Sequence, residues 1–278
     1  MTNVVIGIYN GYDSIVVPKG GIYFFLNSLR KHNKTCKVII LCQQQYHITC
    51  LKEICQDLNA EIYSDFSFDE LPVLIENMDN LKENQFLTIN LVYRFIIFKK
   101  ILESMSEEIN SVLMTDVSDV IFQGDPFEID SGEELYCAME KNVLSDNANY
   151  SSLLNMQWIN QFKFMPNFNT ECFDNKLVAC AGTIYGKYKP IMEYLAYYKD
   201  LNEYRFCNDQ GLYNIYVHDI KKLSVLPYTE SRILTLDKME FSELKKDDKG
   251  RLVNNKGELY NIIHQACRCN YHYMLSLA

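Results

Sequence analysis

Two carboxylates follow an apolar run in the stretch Val112-Leu113-Met114-Thr115-Asp116-Val117-Ser118-Asp119-Val120-Ile121-Phe122. Its apolar first half predicts a buried strand over residues 111–115 that stops at Asp116, and apolar residues resume directly after Asp119. Carboxylates in such a place bind hard divalent cations such as Mg²⁺ or Mn²⁺, and these sites usually complete their shell with substrate phosphates. The structural alternative is a polar turn in which one Asp caps a neighbour.

The chain before this stretch alternates strand and helix patterns. Residues 4–9, 37–41 and 61–63 are predicted strands, and the amphipathic runs that follow Gly20-Gly21 and cover 48–58 are predicted helices. A βαβαβ pattern of this kind predicts a parallel sheet with right-handed crossovers. Such sheets bind ligands at the carboxyl ends of their strands, where Asn10 and its loop follow the first strand.

The remaining elements lie on either side of a polar segment. A long helix over about 88–105 leads into the strand that ends at Asp116, and further strands are predicted over 135–139, 178–185 and 260–263. Helices are predicted over about 190–204 and 209–217. Residues 141–177 are polar, Asn-rich and aromatic, with one helix around 150–162. We interpret this segment as a substrate-facing excursion, and the chain as one domain.

Composition excludes several classes of protein. The 278 residues carry 27 basic and 36 acidic side chains, a formal net charge of -9, which argues against a nucleic-acid groove. A hydrophobic share of 48% allows a sizeable core and excludes disorder. A small anionic ligand remains compatible with this charge, provided that a metal ion or a few arginines supply the positive charge.

The cysteines and the apolar runs bear on the cellular compartment. The ten cysteines contain no Cys-x-x-Cys pair, and several lie in apolar segments. Buried reduced thiols in a cytoplasmic protein are therefore expected, in preference to a zinc site or a disulfide framework. No apolar run is long enough to span a bilayer, and the first apolar run lacks the basic flank of a signal peptide.

With a carboxylate pair at the end of a strand, the sequence resembles the sugar-nucleotide-dependent glycosyltransferases of the GT-A fold. It is most similar to the retaining enzymes of glycosyltransferase family 8. Their hallmark is an Asp-x-Asp motif that holds Mn²⁺ or Mg²⁺ against the donor diphosphate. Asp116 and Asp119 are one residue further apart, so the motif leaves open which carboxylate contacts the metal directly. We favour Asp119, with Asp116 at the ribose or as a second ligand.

Two further segments match the family in the same order. In Tyr93-Arg94-Phe95, the resemblance implies that Arg94 reaches the nucleotide; a solvated helix charge is the alternative. In Cys180-Ala181-Gly182-Thr183-Ile184-Tyr185-Gly186, the resemblance implies a strand beside the donor sugar. Gly182 would there allow close approach of a ligand, and a bulge in a buried strand is the alternative.

The segment Asn208-Asp209-Gln210-Gly211-Leu212-Tyr213-Asn214 resembles the family's Asp-Gln-x-x-Leu-Asn signature. The resemblance implies that Asp209 and Gln210 are catalytic and approach the reacting sugar. Gln210 would lie under its reacting face, and Asp209 would bind its hydroxyl groups or steady the transition state. A helix cap is the alternative for Asp209.

The two ends of the match complete the implied site. In Ile262-Ile263-His264-Gln265, the resemblance implies that His264 is the third metal ligand and that Arg268 grips the diphosphate; a structural histidine is the alternative. At the end of the first strand, Ile8, Tyr9, Asn10 and Tyr12 match the segment that lies against the base and ribose.

The resemblance covers residues 4–268 and implies an α/β fold, a single GT-A (Rossmann-like) domain with a mainly parallel central sheet flanked by helices. Residues 1–125 would form the nucleotide-binding part and 126–278 the acceptor and donor-sugar part. The implied reaction is metal-dependent transfer of a hexose from UDP-glucose or UDP-galactose to a hydroxyl of a glycan or another acceptor, with retention. Trp158 either stacks on the acceptor or belongs to the core.

Two rival functions remain open at this point. A sugar-nucleotide pyrophosphorylase would share the layout but would need a Gly-rich loop with Arg or Lys after its first strand, and residues 10–17 contain neither basic type. A GT-A module that binds a nucleotide sugar without turnover is compatible with the altered carboxylate spacing.

Overall fold

The computed structural model describes residues 1–9, 20–42, 48–64, 83–130, 132, 134–163, 165, 168–200, 209–237, 239 and 241–266. The expected site residues Asn10, Tyr12 and Arg268 lie outside this described part of the chain.

Strands and helices alternate over the first half of the chain, as the hydrophobic pattern predicts. The strands are β1 (Thr2–Tyr9), β2 (Lys37–Cys42), β3 (Glu61–Tyr63), β4 (Ile109–Asp116), β5 (Val120–Phe122), β6 (Leu135–Val143), β7 (Leu177–Lys187), β8 (Ile233–Thr235), β9 (Lys245–Lys246), β10 (Leu252–Val253) and β11 (Ile262–His264). The α-helices are α1 (Gly20–His32), α2 (Ile48–Asp57), α3 (Glu83–Ser104), α4 (Tyr150–Asn160), α5 (Tyr188–Asp200) and α6 (Asp209–Ile215).

Six strands form the central sheet in the order β3-β2-β1-β4-β7-β6. Strands β3, β2, β1 and β4 pair in parallel, whereas β7 is antiparallel to both β4 and β6. Five of the six strands therefore point the same way, and the expected mainly parallel sheet is confirmed. The carboxyl ends of β1 and β4 meet at one edge, since Ile8 is in register with Asp116.

Alternate residues of the sheet pack against helices on its two faces. Ile6 of β1 belongs to a hydrophobic cluster with residues of α3, α5 and α6, and its neighbour Val5 belongs to a second cluster with residues of α1 and α2. This period of two follows from the pleat of a strand. Each fully buried Ile or Val side chain contributes about 1.5–3 kcal/mol of burial free energy, so the clusters hold the helices on both faces.

A small second sheet places β11 beside the two carboxylates. Its order is β5-β11-β8, with β11 antiparallel to β5 and parallel to β8. His264 is in register with Val120, the residue after Asp119. Because β5 directly follows the predicted carboxylate pair, this pairing brings His264 beside it across a long stretch of sequence.

An aromatic cluster joins three helices near the same edge. The ring of Phe95 in α3 lies 5.6 Å from that of Tyr194 in α5, which lies 5.3 Å from the ring of Tyr213 in α6. These edge-to-face contacts each contribute about 0.5–1.5 kcal/mol beyond burial. They fix α3 relative to α6, and thus Arg94 relative to Asp209.

Several predicted boundaries were wrong. Helix α3 begins at Glu83 rather than near residue 88, and β6 runs to Val143 rather than to residue 139. The extension of β6 pairs Val143 with Leu177 after two irregularities in register, which no local pattern predicts. The helix predicted over 209–217 ends at Ile215 and continues as a π-helical turn over Tyr216–Ile220.

The described cysteines are free thiols and most of them are buried, as the sequence predicts. Cys36, Cys55, Cys137 and Cys180 are buried free cysteines, and Cys172 is a half-buried one. Burial raises the pKa of Cys55 and of Cys137 to about 12, so both remain protonated thiols. Within the described ranges, no helix combines the length and apolar character that crossing a membrane requires.

Candidate active site

Three predicted metal ligands meet at the carboxyl edge of β4. Asp116 is the last residue of β4, Asp119 lies in the turn before β5, and His264 is the last residue of β11. Nε2 of His264 lies 3.4 Å from Oδ2 of Asp116 and 3.6 Å from Oδ1 of Asp119. One ligand atom from each residue falls within 4.8 Å of the others, a spacing suited to one cation.

The turn that carries these carboxylates is packed closely against α1. A Cβ on Gly21 would lie 1.7 Å from the carbonyl oxygen of Ser118, so only glycine permits this contact. The first turn of α1 thereby holds the segment between Asp116 and Asp119 in place.

His264 is almost fully buried and faces the two carboxylates. Its Nδ1 lies 3.4 Å from Sγ of Cys180, and in the described part of the chain Nε2 has no hydrogen-bond partner. Burial alone would lower the pKa of His264, but Cys180 and the carboxylates of Asp119 and Asp116 hold it well above its usual range. The cluster therefore attracts positive charge, and a divalent cation would replace the proton on binding.

Gly182 of β7 closes the other side of the cluster. A Cβ at this position would lie 2.4 Å from Cε1 of His264 and 2.7 Å from Oδ2 of Asp116. Any side chain here would fill the space between these two groups. Gly182 therefore lies against two of the three predicted metal ligands, and its role toward a bound ligand stays a prediction.

Arg94 connects the candidate metal site with the start of α6. One guanidinium nitrogen contacts Asp116, and Nη2 donates to Oδ2 of Asp209 at 3.0 Å and to the carbonyl of Ala181 at 3.2 Å. The side chain is 3% exposed, so the alternative of a solvated helix charge was wrong. Its carbon Cζ also lies 4.8 Å from the ring centroid of Phe95.

The two carboxyl groups that share Arg94 have opposite pKa shifts. Burial alone would raise the pKa of Asp116, but Arg94 and His264 lower it well below its usual range. Burial raises the pKa of Asp209, assisted by the charge of Asp116 and opposed by Arg94. Asp116 is therefore the more strongly ionised member, as a metal ligand requires.

Asp209 and Gln210 form the first turn of α6. Oδ1 of Asp209 accepts from the backbone N–H of Gln210 at 2.8 Å, and its other oxygen accepts from Arg94. The side chain of Gln210 donates from Nε2 to Oδ1 of Asn155 at 2.9 Å and to Oε1 of Glu140 at 3.2 Å. Its Oε1 accepts from the backbone N–H of Ala181 at 3.4 Å.

The polar network behind Gln210 was missed in the sequence. Glu140 accepts at Oε2 from Nδ2 of Asn142 at 3.3 Å, and the same nitrogen donates to Asp237 at 2.7 Å. Burial, then the nearby Asp237, raises the pKa of Glu140. The predicted strand ended at residue 139 and Lys141 opened the segment interpreted as a polar excursion, so Glu140 was not assigned to a buried position.

The structure also describes Ile8, Tyr9 and Trp158, three further residues that the sequence analysis considered for ligand contacts. Ile8 and Tyr9 are buried, and their side chains belong to the two clusters on opposite faces of the sheet. Trp158 is half-buried and packs closely against Gly211. A Cβ added to Gly211 would lie 2.9 Å from the backbone carbon and from Cβ of Trp158. The roles of all three residues toward a ligand stay predictions.

The sheet order, the antiparallel β7 and the acidic edge define a GT-A (Rossmann-like) fold. The structure is similar to that of mouse xyloside xylosyltransferase 1 in its apo form, with a TM-score of 0.53, 14% identity, and coverage of 97% of this chain and 99% of that chain. This likeness establishes the fold.

Weaker likenesses are found to WbbM, a bifunctional glycosyltransferase, and to the glycosyltransferase GlyE of Streptococcus pneumoniae TIGR4. Their TM-scores are 0.49 and 0.43, with 14% and 16% identity. Each match covers 95% of this chain, against 45% of the WbbM chain and 54% of the GlyE chain. No protein-family model matches the sequence, and no curated protein matches it either.

Proposed function

We propose that this protein is a divalent-metal-dependent glycosyltransferase that moves a hexose from UDP-glucose or UDP-galactose to a hydroxyl of a glycan or another acceptor. The observation that carries the proposal is the cluster of Asp116, Asp119 and His264 facing Gly182, at the carboxyl edge of a GT-A sheet. In open α/β sheets this edge is where ligands bind. The similar structure of a xylosyltransferase supports the same class of reaction.

The three side chains fit Mn²⁺ or Mg²⁺. Two carboxylates suit either ion, and the imidazole of His264 favours Mn²⁺. Nε2 of His264 is buried and directed at both carboxylates, as a ligand nitrogen must be. When bound, the cation would neutralise charge on the donor diphosphate and on the leaving group. It would also make the local charge of the site positive, although the net charge of the chain is -9.

Arg94 has a positioning role in this scheme. Its guanidinium orients Asp116 for the metal and Asp209 for the sugar, and its positive charge favours the ionised form of both carboxyl groups. Asp209 would then accept hydrogen bonds from hydroxyl groups of the donor sugar. This differs from the direct contact with the nucleotide that the resemblance implied for Arg94.

Gly182 and Gln210 would border the donor sugar. The missing side chain at Gly182 leaves the space next to His264 and Asp116 open to a ligand. Oε1 of Gln210 accepts from the backbone N–H of Ala181, the residue before Gly182, and this position beside Gly182 supports a place for Gln210 under the reacting face of the sugar. We propose transfer with retention, with Gln210 stabilising positive charge on the sugar in the transition state.

The remaining contacts of the donor come from the resemblance. Ile8, Tyr9, Asn10 and Tyr12 are proposed to lie against the base and ribose. Arg268 is proposed to bind the diphosphate, and Trp158 the acceptor.

We also propose one domain, with residues 1–125 as its nucleotide-binding part, and a cytoplasmic location. The buried free thiols Cys55 and Cys137 support a reducing compartment.

Donor hydrolysis tests the reaction class without knowledge of the acceptor. The purified chain, supplied with MnCl₂ and a panel of UDP- and GDP-sugars, is expected to release nucleoside diphosphate from UDP-glucose or UDP-galactose. Proton NMR of the first sugar released should show the α-anomer, which records retention. Gln210→Ala should lower turnover more than donor affinity. Tight metal-dependent binding without any release would identify a binding module instead.

A further inference from the structure

The side-chain amide of Gln210 has only one orientation that its neighbours accept. Asn155 donates from Nδ2 to the carbonyl of Ser151 at 2.9 Å, and a carbonyl can only accept. The atom that Asn155 turns toward Gln210 is therefore its oxygen, Oδ1. Gln210 must in turn present its nitrogen, Nε2, to that oxygen, at 2.9 Å.

A second acceptor completes the coordination of this nitrogen. Oε1 of Glu140 lies 3.2 Å from Nε2 of Gln210, and a carboxyl group offers an acceptor oxygen in either protonation state. The two N–H bonds of the amide thus have two acceptors, one from α4 and one from β6. On the opposite side, the backbone N–H of Ala181, which can only donate, faces Oε1 of Gln210 at 3.4 Å.

Glu140 and Asn155 are themselves held in place. Oε2 of Glu140 accepts from Asn142, whose own oxygen accepts from Nδ2 of Asn149 at 3.0 Å. Asn149 caps α4 by accepting from the backbone N–H of Ser151 at 2.9 Å. Glu140 is 3% and Asn155 1% exposed, so water does not compete for these contacts.

We propose that Glu140 and Asn155 are positioning residues that turn the oxygen of Gln210 toward the donor-sugar side of the site. Oε1 lies next to Ala181, and the following residue, Gly182, faces His264 and Asp116. An amide oxygen stabilises positive charge that develops on a sugar, whereas an amide nitrogen turned the same way would repel it. The catalytic consequence rests on the proposed function; the orientation of the amide does not.

The kinetic test compares variants that remove the hydrogen-bond acceptor of Gln210 with variants that keep it. Glu140→Leu is expected to lower kcat roughly 10- to 100-fold, the cost of a misplaced catalytic group, without changing the affinity for UDP with Mn²⁺. Glu140→Gln keeps an oxygen that can accept from Nε2, and should recover most of kcat. Asn155→Leu repeats the test if Glu140→Leu fails to fold. Gln157→Ala, at an exposed position of the same helix, is the matched control.

A spectroscopic test is independent of turnover. In protein labelled with ¹⁵N-glutamine, the side-chain NH₂ of Gln210, assigned with Gln210→Glu, should exchange slowly with solvent. Glu140→Leu should accelerate that exchange, and Gln157→Ala should not. If no nucleotide sugar binds the wild type, the proposed function fails while this readout still tests the orientation. The inference is overturned if Glu140→Leu leaves the exchange unchanged, or if Glu140→Leu and Glu140→Gln lower kcat and UDP affinity equally.

Discussion

Nη2 of Arg94 donates to Oδ2 of Asp209 at 3.0 Å, across 115 residues of sequence. The same guanidinium contacts Asp116, so one side chain joins α3 to the end of β4 and to the start of α6. Arg94 can satisfy both carboxylates because its planar fork presents several N–H donors in a fixed geometry. The candidate metal ligand Asp116 and the candidate catalytic residue Asp209 are thereby held by one cation.

Removing Arg94 should destabilise the fold. Arg94→Met leaves the carboxylates of Asp116 and Asp209 without their buried cation, and breaking such an arrangement costs about 3–5 kcal/mol. Arg94→Lys should recover part of this loss, since an ammonium group lacks the fork geometry. Urea denaturation gives the free energy of unfolding. The control is Lys99→Met on the same helix, which removes an ion pair with Glu103 and should cost about 0.5 kcal/mol. Equal losses for Arg94→Met and Lys99→Met would contradict the role of Arg94.

Gly182→Ala should abolish metal-dependent stabilisation while the protein stays folded. The new Cβ would lie 2.4 Å from His264 and 2.7 Å from Asp116, a clash that moves at least one metal ligand. Differential scanning fluorimetry with and without MnCl₂ measures the effect. Gly186→Ala on the same strand is the control, because its Cβ would meet the side chain of Leu135 at 3.2 Å, far from the cluster. If Gly182→Ala keeps the Mn²⁺ response of the wild type, Gly182 does not border a metal site.

Asp119→Ala should remove the rise in Tm that Mn²⁺ produces. Loss of one of three protein ligands weakens a cation site more than the remaining ligands can offset. Glu108→Ala, at an exposed position before β4, removes one negative charge as Asp119→Ala does, and should keep the full response. If both variants respond to Mn²⁺ as the wild type does, Asp119 is not a ligand.

The sequence predicts the sheet better than the assembly of the site. Strand β1 and the carboxylate turn follow from apolar runs that end at polar residues, a pattern typical of buried parallel strands. His264 is different, because nothing local distinguishes it from a structural histidine. Its place beside Asp119 depends on the pairing of β11 with β5, a contact between distant segments.

Glu140 and Asn155 show why the supporting residues were not found. Glu140 follows Met139 in a strand, and Asn155 lies in the middle of a helix, positions where polar side chains usually face water. Their burial depends on α4 and α6 packing together, with Gly211 against Trp158. Such contacts are tertiary and leave no periodic signal in the sequence.

The free energy of unfolding should fall as the pH is lowered from 6.5 to 4, in part through His218. Burial lowers the pKa of this side chain from 6.5 to about 4, while Nε2 donates to the carbonyl of Leu177 at 2.9 Å. In the unfolded chain His218 binds a proton below about pH 6.5, whereas in the folded chain it does so only near pH 4. The free energy of unfolding therefore falls as the pH is lowered through this range. The loss amounts to at most about 3 kcal/mol.

His218→Gln keeps a donor for Leu177 and removes the titration. Urea denaturation at several pH values should give a shallower decline for this variant below pH 6.5, with no change in slope above it. Parallel curves for the two proteins over the whole range would show that His218 titrates normally.

Calorimetric titration of UDP, with and without Mn²⁺, tests most directly whether the cluster of Asp116, Asp119 and His264 is a metal site for a nucleoside diphosphate. We predict that the wild type and Gly186→Ala bind UDP only in the presence of Mn²⁺. Asp119→Ala and Gly182→Ala should show no binding at the same concentrations. UDP binding of equal strength without the metal, or undiminished binding in Asp119→Ala, would contradict the account.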